Sequence, residues 1–273
     1  MASAAPQLDT QALISAARDG DRAALERLLA AEQARIYSFG LKMCRNGEDA
    51  RDIVQDTMFA VARGISGFRG DAAFSTWLFQ IARSFCIKKR RARKGAPKHT
   101  EALDHVPESA LTDATPSPEQ TARGKELETL LNEGLATLPV AAREVIVLRD
   151  VEGLTAPEVA QVLGISVDAV KSKLHRARAS LHKALAPRLD PATTSTGQCP
   201  DILAMYSRQL EGDLNGALCA KLEAHVAECP RCAGTCDALK KSLAVCKTLV
   251  VVPDEVQAAV RTSLEQFVAI ARR

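Results

Sequence analysis

The chain has 273 residues, enough for one large domain or two to three small ones, and its 47% hydrophobic content is ample for globular cores. Aromatic residues make up only 4%, which argues against a β-sandwich or β-barrel and favours an all-α protein. The net charge of +3 is unevenly spread, because Lys and Arg concentrate in residues 83–98 and 166–188 while the remainder is acidic. Two such basic stretches predict two separate contacts with a polyanion.

Cysteines are equally uneven, since six of the eight fall within residues 199–273. The N-terminus has neither a basic start nor an apolar core, so we expect no signal peptide, and no apolar run reaches the ~20 residues of a membrane span. We therefore expect a cytoplasmic protein without membrane contact, where clustered thiols indicate metal or redox chemistry. The sequence also lacks a nucleophile–base pairing and a phosphate-binding Gly loop, so we expect no enzymatic activity.

The spacing of apolar residues, and the segments in which that spacing is lost, divide the chain into three helical modules joined by two linkers. Eight of the ten aromatic residues lie between Tyr37 and Phe85, within a first module that ends near residue 95. Pro, Ser, Thr and Gly then replace the apolar periodicity, which indicates a flexible linker. The predicted boundaries are 1–95 and 121–188 for the first two modules, 96–120 and 189–198 for the linkers, and 199–273 for a Cys-rich module.

The second module carries the pattern of a helix-turn-helix. Thr155 and Glu158 form a capping-box pattern, Gly164 is suited to a left-handed helix stop, and Ser166 can cap the next helix. That helix has one apolar stripe and an opposite face that is largely cationic, and such a helix suits a DNA major groove. The predicted DNA-facing residues are Lys171, Ser172, His175, Arg176 and Arg178. An ordinary helical hairpin with a solvated basic face is the alternative.

In the first module an aromatic segment runs directly into a basic one. Aromatic rings stack on unpaired bases and Lys or Arg neutralise phosphates, so the combination suits melted DNA, although rings at helical spacing also suit a core. Phe68 and Phe74 flank a loop, which we expect to leave them freer than Trp77. A preceding helix carries acids three to four residues apart, which is either a docking surface for a basic protein or a solvated face.

Two long segments, GEDARDIVQDTMFAVARGISGFRGDAAFSTWLFQIAR and LPVAAREVIVLRDVEGLTAPEVAQVLGISVDAVKSKLHRARASLHKAL, resemble regions two and four of extracytoplasmic-function sigma factors. The resemblance covers about residues 9–94 and 121–186 in the family's order. It implies that region two binds the clamp of core RNA polymerase and the melted −10 element, and that region four binds the −35 duplex. The implied polymerase contacts are Asp49, Asp52, Gln55 and Asp56.

The same resemblance and the aromatic–basic pattern together select the residues for the −10 element. They are Phe68, Arg69, Phe74, Trp77, Ser84, Lys88, Lys89 and Arg90. The family usually has Asn where this chain has Ser84, a difference that bears on the choice of −10 base. The five residues of the recognition helix fall where the family reads the −35 element.

The Cys-rich module offers seven soft metal donors. They are Cys199, Cys219, His225, Cys229, Cys232, Cys236 and Cys246. The tightest group is His225-x3-Cys229-x2-Cys232-x3-Cys236, which we expect to converge at a corner between a helix capped by Asp213 and a helix begun by Pro230. Thiolate and imidazole donors favour a soft divalent metal ion over hard cations, but they do not choose among zinc, cadmium and copper; of these we prefer zinc or cadmium.

The His-x3-Cys-x2-Cys core resembles the zinc-binding anti-sigma fold, and a sigma factor with this tail resembles the CorE-like metal sensors. That resemblance implies a tail that replaces a separate anti-sigma protein and places promoter binding under metal control. Three functions for these donors remain open. A structural zinc site needs only four of the seven, and a thiol redox switch needs only two cysteines. A metal-sensing site makes the best use of the three donors that a structural site leaves over. A metal-responsive helix-turn-helix regulator that does not act with polymerase is the rival function.

Overall fold

All secondary structure in the described part of the chain is helical, as the sequence predicts. The computed structural model describes residues 10–95, 129–189, 199, 201–230, 232–237, 240, 258 and 261–262. Both predicted linkers lie outside these residues, apart from Leu189, and so does the candidate donor Cys246. Within the described residues, no helix is long and apolar enough to span a membrane. The chain divides into two compact units, Met1–Thr112 with Leu249–Arg273 and Asp113–Thr248.

Residues 10–95 of the first unit form four helices: α1 (Thr10–Arg18), α2 (Arg22–Cys44), α3 (Gly47–Gly64) and α4 (Phe74–Gly95). Side-chain caps begin two of them, because Asp21 accepts the backbone N–H of Ala24 and Asn46 accepts that of Asp49. A short 3-10 turn, Ile65–Gly67, follows α3. The core lies between α2, α3 and α4, where Phe39 and Phe79 are fully buried with ring centroids 5.4 Å apart.

Close packing of α2 on α3 depends on Gly40. A Cβ atom at this position would lie 3.0 Å from Ala50 Cα, so the two helix backbones could not keep their separation. We expect Gly40→Val to lower the free energy of unfolding by about 2–3 kcal/mol through overpacking. Chemical denaturation measures the loss, and Gly67→Val is the control because nothing lies within 4 Å of the Cβ there. Equal stability of the two variants would contradict the tight α2–α3 contact.

The described residues of the second unit begin at 129 with α5 (129–137), which is followed by α6 (Val140–Ile146) and a π-helical turn (Val147–Val151). The helix-turn-helix comprises α7 (Ala156–Leu163) and α8 (Val167–Leu189). The buried Arg143 joins α5 to α6 by donating hydrogen bonds to the carbonyls of Leu135, Ala136 and Leu138. Its guanidinium thereby supplies donors to carbonyls at and just beyond the end of α5.

The structure confirms the local features predicted for the helix-turn-helix. Thr155 and Glu158 form both bonds of the capping box, and Gly164 ends α7 at φ 68°. Ser166 Oγ accepts the backbone N–H of Ala169 at 3.2 Å at the start of α8. The predicted apolar stripe of α8 is buried against the rest of the module; its members are Val170, Leu174, Ala177 and Leu181.

The Cys-rich module adds α9 (Ile202–Leu210) and α10 (Gly216–Glu228), and residues 232–237 are helical. The prediction that Asp213 caps α10 is wrong, because the cap is Asn215, whose Oδ1 accepts the N–H of Leu218 at 2.9 Å. Asn215 directly precedes the helix, whereas Asp213 lies two residues earlier and pairs with a lysine of α8. The core of this module is small. Its buried members in the described residues are Ile202, Leu222, Cys232 and Cys236.

Candidate functional sites

The acidic surface of α3 lies next to the basic end of α4. Asp52 and Gln55 are exposed, Asp49 and Asp56 are half-buried, and all four lie on α3. Lys89 Nζ donates to Asp52 Oδ2, and this hydrogen bond raises the pKa of Lys89. Burial raises the pKa of Asp56 in spite of the nearby Lys89 charge. One residue predicted to contact DNA therefore pairs with one predicted to contact polymerase.

The aromatic residues around the start of α4 form one cluster. Phe68 stacks on Trp77 with ring centroids 5.1 Å apart and meets Phe74 edge-on at 5.8 Å. Phe68 and Trp77 are half-buried, but Phe74 is 7% exposed. The expectation that Phe74 is freer than Trp77 is wrong, because Phe74 lies beneath the other two rings in the core.

The remaining residues predicted for the −10 element line α4 and its preceding loop. Arg69, Ser84 and Lys88 are exposed, and Arg90 is half-buried. Ser84 Oγ donates to the carbonyl of Ile81, so this short side chain is turned back on its own helix. Lys88 Nζ lies 5.3 Å from the centre of the Phe85 ring. These positions give the end of α4 a basic surface.

Only part of the predicted recognition face of α8 is accessible. Ser172 and Arg176 are exposed, while Lys171 and His175 are half-buried. Arg178 is 2% exposed, which corrects its prediction as a DNA contact. Its guanidinium donates to both carboxylate oxygens of Asp150, at 2.6 and 2.9 Å, so in this fold it holds α8 against the π-helical turn.

Four of the seven candidate donors meet at one point. Their ligand atoms all lie within 4.8 Å of one another; the residues are Cys199, His225, Cys229 and Cys232. The Sγ atoms of Cys199 and Cys229 are 3.9 Å apart, close to the separation of about 3.8 Å that two 2.3 Å Zn–S bonds impose in a tetrahedron. His225 Nε2 lies 3.2 Å from Cys232 Sγ. A Cys₃His set of this size fits a structural or sensing zinc ion.

The thiols of the four-donor group oppose one another's ionisation. Burial, together with the hydrogen-bonded thiols of Cys199 and Cys229, raises the pKa of Cys232 to about 12. A thiol coordinates a metal as the thiolate, so a metal ion at this site would have to displace the proton.

The structure separates Cys236 and Cys219 from this group. Cys236 is buried in the small apolar core, and burial raises the pKa of its thiol. The Sγ of Cys219 lies 3.8 Å from the carbonyl oxygen of Leu214. The sequence predicts Cys236 as the fourth donor beside His225, Cys229 and Cys232. In the structure the fourth donor is Cys199.

Comparison with known proteins identifies the modules. The Sigma-70 region 2 family matches residues 28–95, the Sigma-70 region 4 family matches residues 129–181, and a zinc-finger family matches residues 199–233. The RNA polymerase sigma-H factor of Pseudomonas aeruginosa is 30% identical over 191 residues, covering 68% of this chain and 98% of its own length. This chain belongs to the extracytoplasmic-function sigma factors.

One further relative and one solved structure are also similar to this chain. The sigma factor SigM of Mycobacterium tuberculosis is 32% identical over 173 residues, covering 63% of this chain and 83% of its own length. The solved structure of CnrH in complex with the cytosolic domain of CnrY is 26% identical, covers 66% of this chain and 98% of that chain, and has a TM-score of 0.47. Sigma factors bind core RNA polymerase and promoter DNA, and this one adds a zinc-finger-like module after region four.

Sequence reasoning missed the ion pairs that three acids form inside the second unit of the sigma factor. Asp150 pairs with Arg178, Glu211 pairs with Arg149 and Arg178, and Asp213 pairs with Lys171. One signal was available for the first of them, because Arg149-Asp150 interrupts an apolar run in VIVLRDV. Charges inside such a run are buried and must be paired. Glu211 and Asp213 carry no comparable signal in the sequence.

Proposed function

We propose that this sigma factor is controlled in cis by a metal ion held by Cys199, His225, Cys229 and Cys232, and that it needs no separate anti-sigma protein. The observation that supports metal control is the position of the four-donor module directly on region four. Helix α9 packs along α8, and it also packs on α10, which supplies His225. A ligand that changes the order of this module can therefore bias region four through its differential affinity for the two arrangements.

Run-off transcription with purified core RNA polymerase tests this proposal. We expect the reduced full-length protein to initiate at its promoters with a yield that changes at least about fivefold between chelated and metal-loaded states, the lower end of ordinary allosteric coupling. Zinc, cadmium and copper are compared to identify the effector. Equal transcription in every metal state would reduce the four-donor group to a structural zinc site.

A thiol redox switch is a second candidate, because Cys199 and Cys229 already place their sulfurs 3.9 Å apart. Metal analysis under reducing conditions discriminates between the two candidates. A redox switch responds to oxidant without bound metal, whereas metal control requires about one ion per chain in the reduced protein. Oxidant-dependent transcription by the metal-free protein would favour the redox candidate.

Region two is proposed to dock on polymerase through the acidic surface of α3. Replacing Asp52 and Asp56 with Lys reverses two charges and removes the Asp52–Lys89 pair, so we expect core binding to weaken by about 10-fold or more through loss of charge complementarity. Pull-down of core polymerase measures the change. The matched control is the Asp19→Lys/Glu26→Lys pair, which reverses two exposed charges on other segments. Equal pull-down by both double variants would contradict the assignment.

A further inference from the structure

The end of α9 carries two acids that contact the basic side of region four. Leu210 is the last residue of α9, and the turn after it contains Glu211, Gly212 and Asp213, here called the acidic turn. Gly212 has φ 72°, a left-handed conformation that reverses the chain at this point. The reversal places both carboxylates against basic side chains that belong to region four.

Glu211 is locked between two guanidinium groups. Arg149 Nε lies 3.2 and 3.1 Å from its two carboxylate oxygens, and Arg178 Nη2 donates to Oε1 at 2.8 Å. The Glu211 side chain is only 4% exposed, and Arg178 also donates to Ser207 Oγ on α9 at 3.0 Å. Burial opposes the charge of Arg178, but its hydrogen bonds to Asp150 and Glu211 raise its pKa overall. Charged hydrogen bonds of this kind are the strong ones, so they fix α9 on α8.

Asp213 engages a residue predicted to contact promoter DNA. Its Oδ1 accepts a hydrogen bond from Lys171 Nζ, which raises the pKa of Lys171. Lys171 and Arg178 are seven residues apart, so they lie two turns apart on the same side of α8. Ser172 and Arg176 on the neighbouring side stay exposed. The acidic turn thus covers one edge of the recognition helix and leaves the adjacent edge open.

A DNA phosphate and the acidic turn cannot use this edge together. A phosphate needs the same Lys171 ammonium that Asp213 occupies, and a carboxylate left in place would repel the phosphate. We propose that the acidic turn is a built-in competitor of promoter DNA: Asp213 holds Lys171, the phosphate-binding residue of region four, and Glu211 anchors the turn through Arg149 and Arg178. The inference deepens the proposed control of region four in cis, and it rests on the sequence prediction that region four binds duplex DNA through α8. A contact between Lys171 and a DNA phosphate then requires Asp213 to release the lysine.

Salt-dependent binding to a fluorescein-labelled DNA duplex of mixed sequence tests the competition in the full-length, zinc-loaded protein. Asp213→Asn keeps the shape of the turn and releases Lys171. We expect the plot of log affinity against log salt to steepen by about one, the contribution of one additional phosphate contact. Adding Glu211→Gln also releases α9, and we expect the double variant to bind the duplex about tenfold more tightly, or about 1.4 kcal/mol.

Two comparisons exclude a general effect of lost negative charge. Glu223→Gln removes an exposed acid from α10 of the same module, and we expect it to leave the salt slope unchanged. Lys171→Ala should have little effect on binding in the parent, where Asp213 holds the lysine, but should abolish the steeper slope in the Asp213→Asn background. Equal effects of Glu223→Gln and Asp213→Asn, or a Lys171→Ala effect that is the same in both backgrounds, would overturn the proposal.

The duplex-binding test of this competition and the transcription test of metal control can succeed or fail independently of each other. Unchanged duplex binding by the acidic-turn variants, beside metal-dependent run-off transcription by the parent, would overturn the competition alone. Tighter binding by these variants, beside transcription that ignores metal, would overturn metal control and leave the competition supported. Circular dichroism and zinc content of each variant establish that the helices and the four-donor group are retained.

Discussion

Replacing Cys232 with Ser is expected to lower the zinc affinity of the C-terminal module by more than about 100-fold. Removing a residue that only hydrogen-bonds to a metal ligand already lowers metal affinity about 10- to 100-fold, and Cys232 is a proposed ligand itself. Cys232 Sγ belongs to the four-donor group, and a serine hydroxyl does not supply the thiolate that this site offers. The small core beside the group has few buried residues, so loss of the metal should also loosen α9 and α10. Zinc competition with a chromophoric chelator measures the affinity, and hydrogen exchange measures the loosening.

Cys236→Ser is the matched control for this experiment. Cys236 is 5% exposed and Cys232 is 3% exposed, so the same substitution is made at two buried cysteines of one module. Only Cys232 belongs to the group of ligand atoms within 4.8 Å of one another. We expect Cys236→Ser to keep its zinc while losing some stability. Loss of zinc in both variants, or in neither, would contradict the ligand assignment.

Replacing Asp150 with Ala is expected to lower the free energy of unfolding of the second unit by about 3 kcal/mol, since breaking a buried ion pair leaves a charge without compensation. Asp150 is 9% exposed and accepts two hydrogen bonds from the buried Arg178. Glu211 still accepts one bond from Arg178, which keeps the loss at the lower end of the range for broken buried pairs. Urea denaturation followed by circular dichroism measures the change.

Asp168→Ala supplies the control, because this acid is exposed in the first turn of α8. We expect it to contribute a favourable interaction with the helix dipole, worth about 0.3–1 kcal/mol, beside its attraction to Lys171. If Asp150→Ala costs no more than Asp168→Ala, the buried pair does not hold α8 in place. A large loss would show that Arg178 serves the fold of region four as well as its contact with α9.

Much of the local structure of this sigma factor follows from short stretches of sequence. The capping box at Thr155, the left-handed stop at Gly164 and the apolar stripe of α8 are each decided by residues within one or two turns, because caps and i→i−4 hydrogen bonds reach no further. For the same reason the spacing of His225, Cys229 and Cys232 sufficed to predict that they converge. The families of region two and region four were also readable from their long sequence patterns.

Tertiary packing decided which partners come from far along the chain. The fourth member of the donor group is Cys199 and not Cys236, because Cys199 packs against the small core from a position 26 residues before His225. Arg178 is buried and Lys171 is paired because α9 lies along α8. This packing brings Glu211 to Arg178, 33 residues earlier in the chain, and Asp213 to Lys171, 42 residues earlier. Residue type and periodicity do not predict contacts between residues so far apart in the chain. They follow from the angle and register at which the finished helices pack, since close packing selects one arrangement of their side chains.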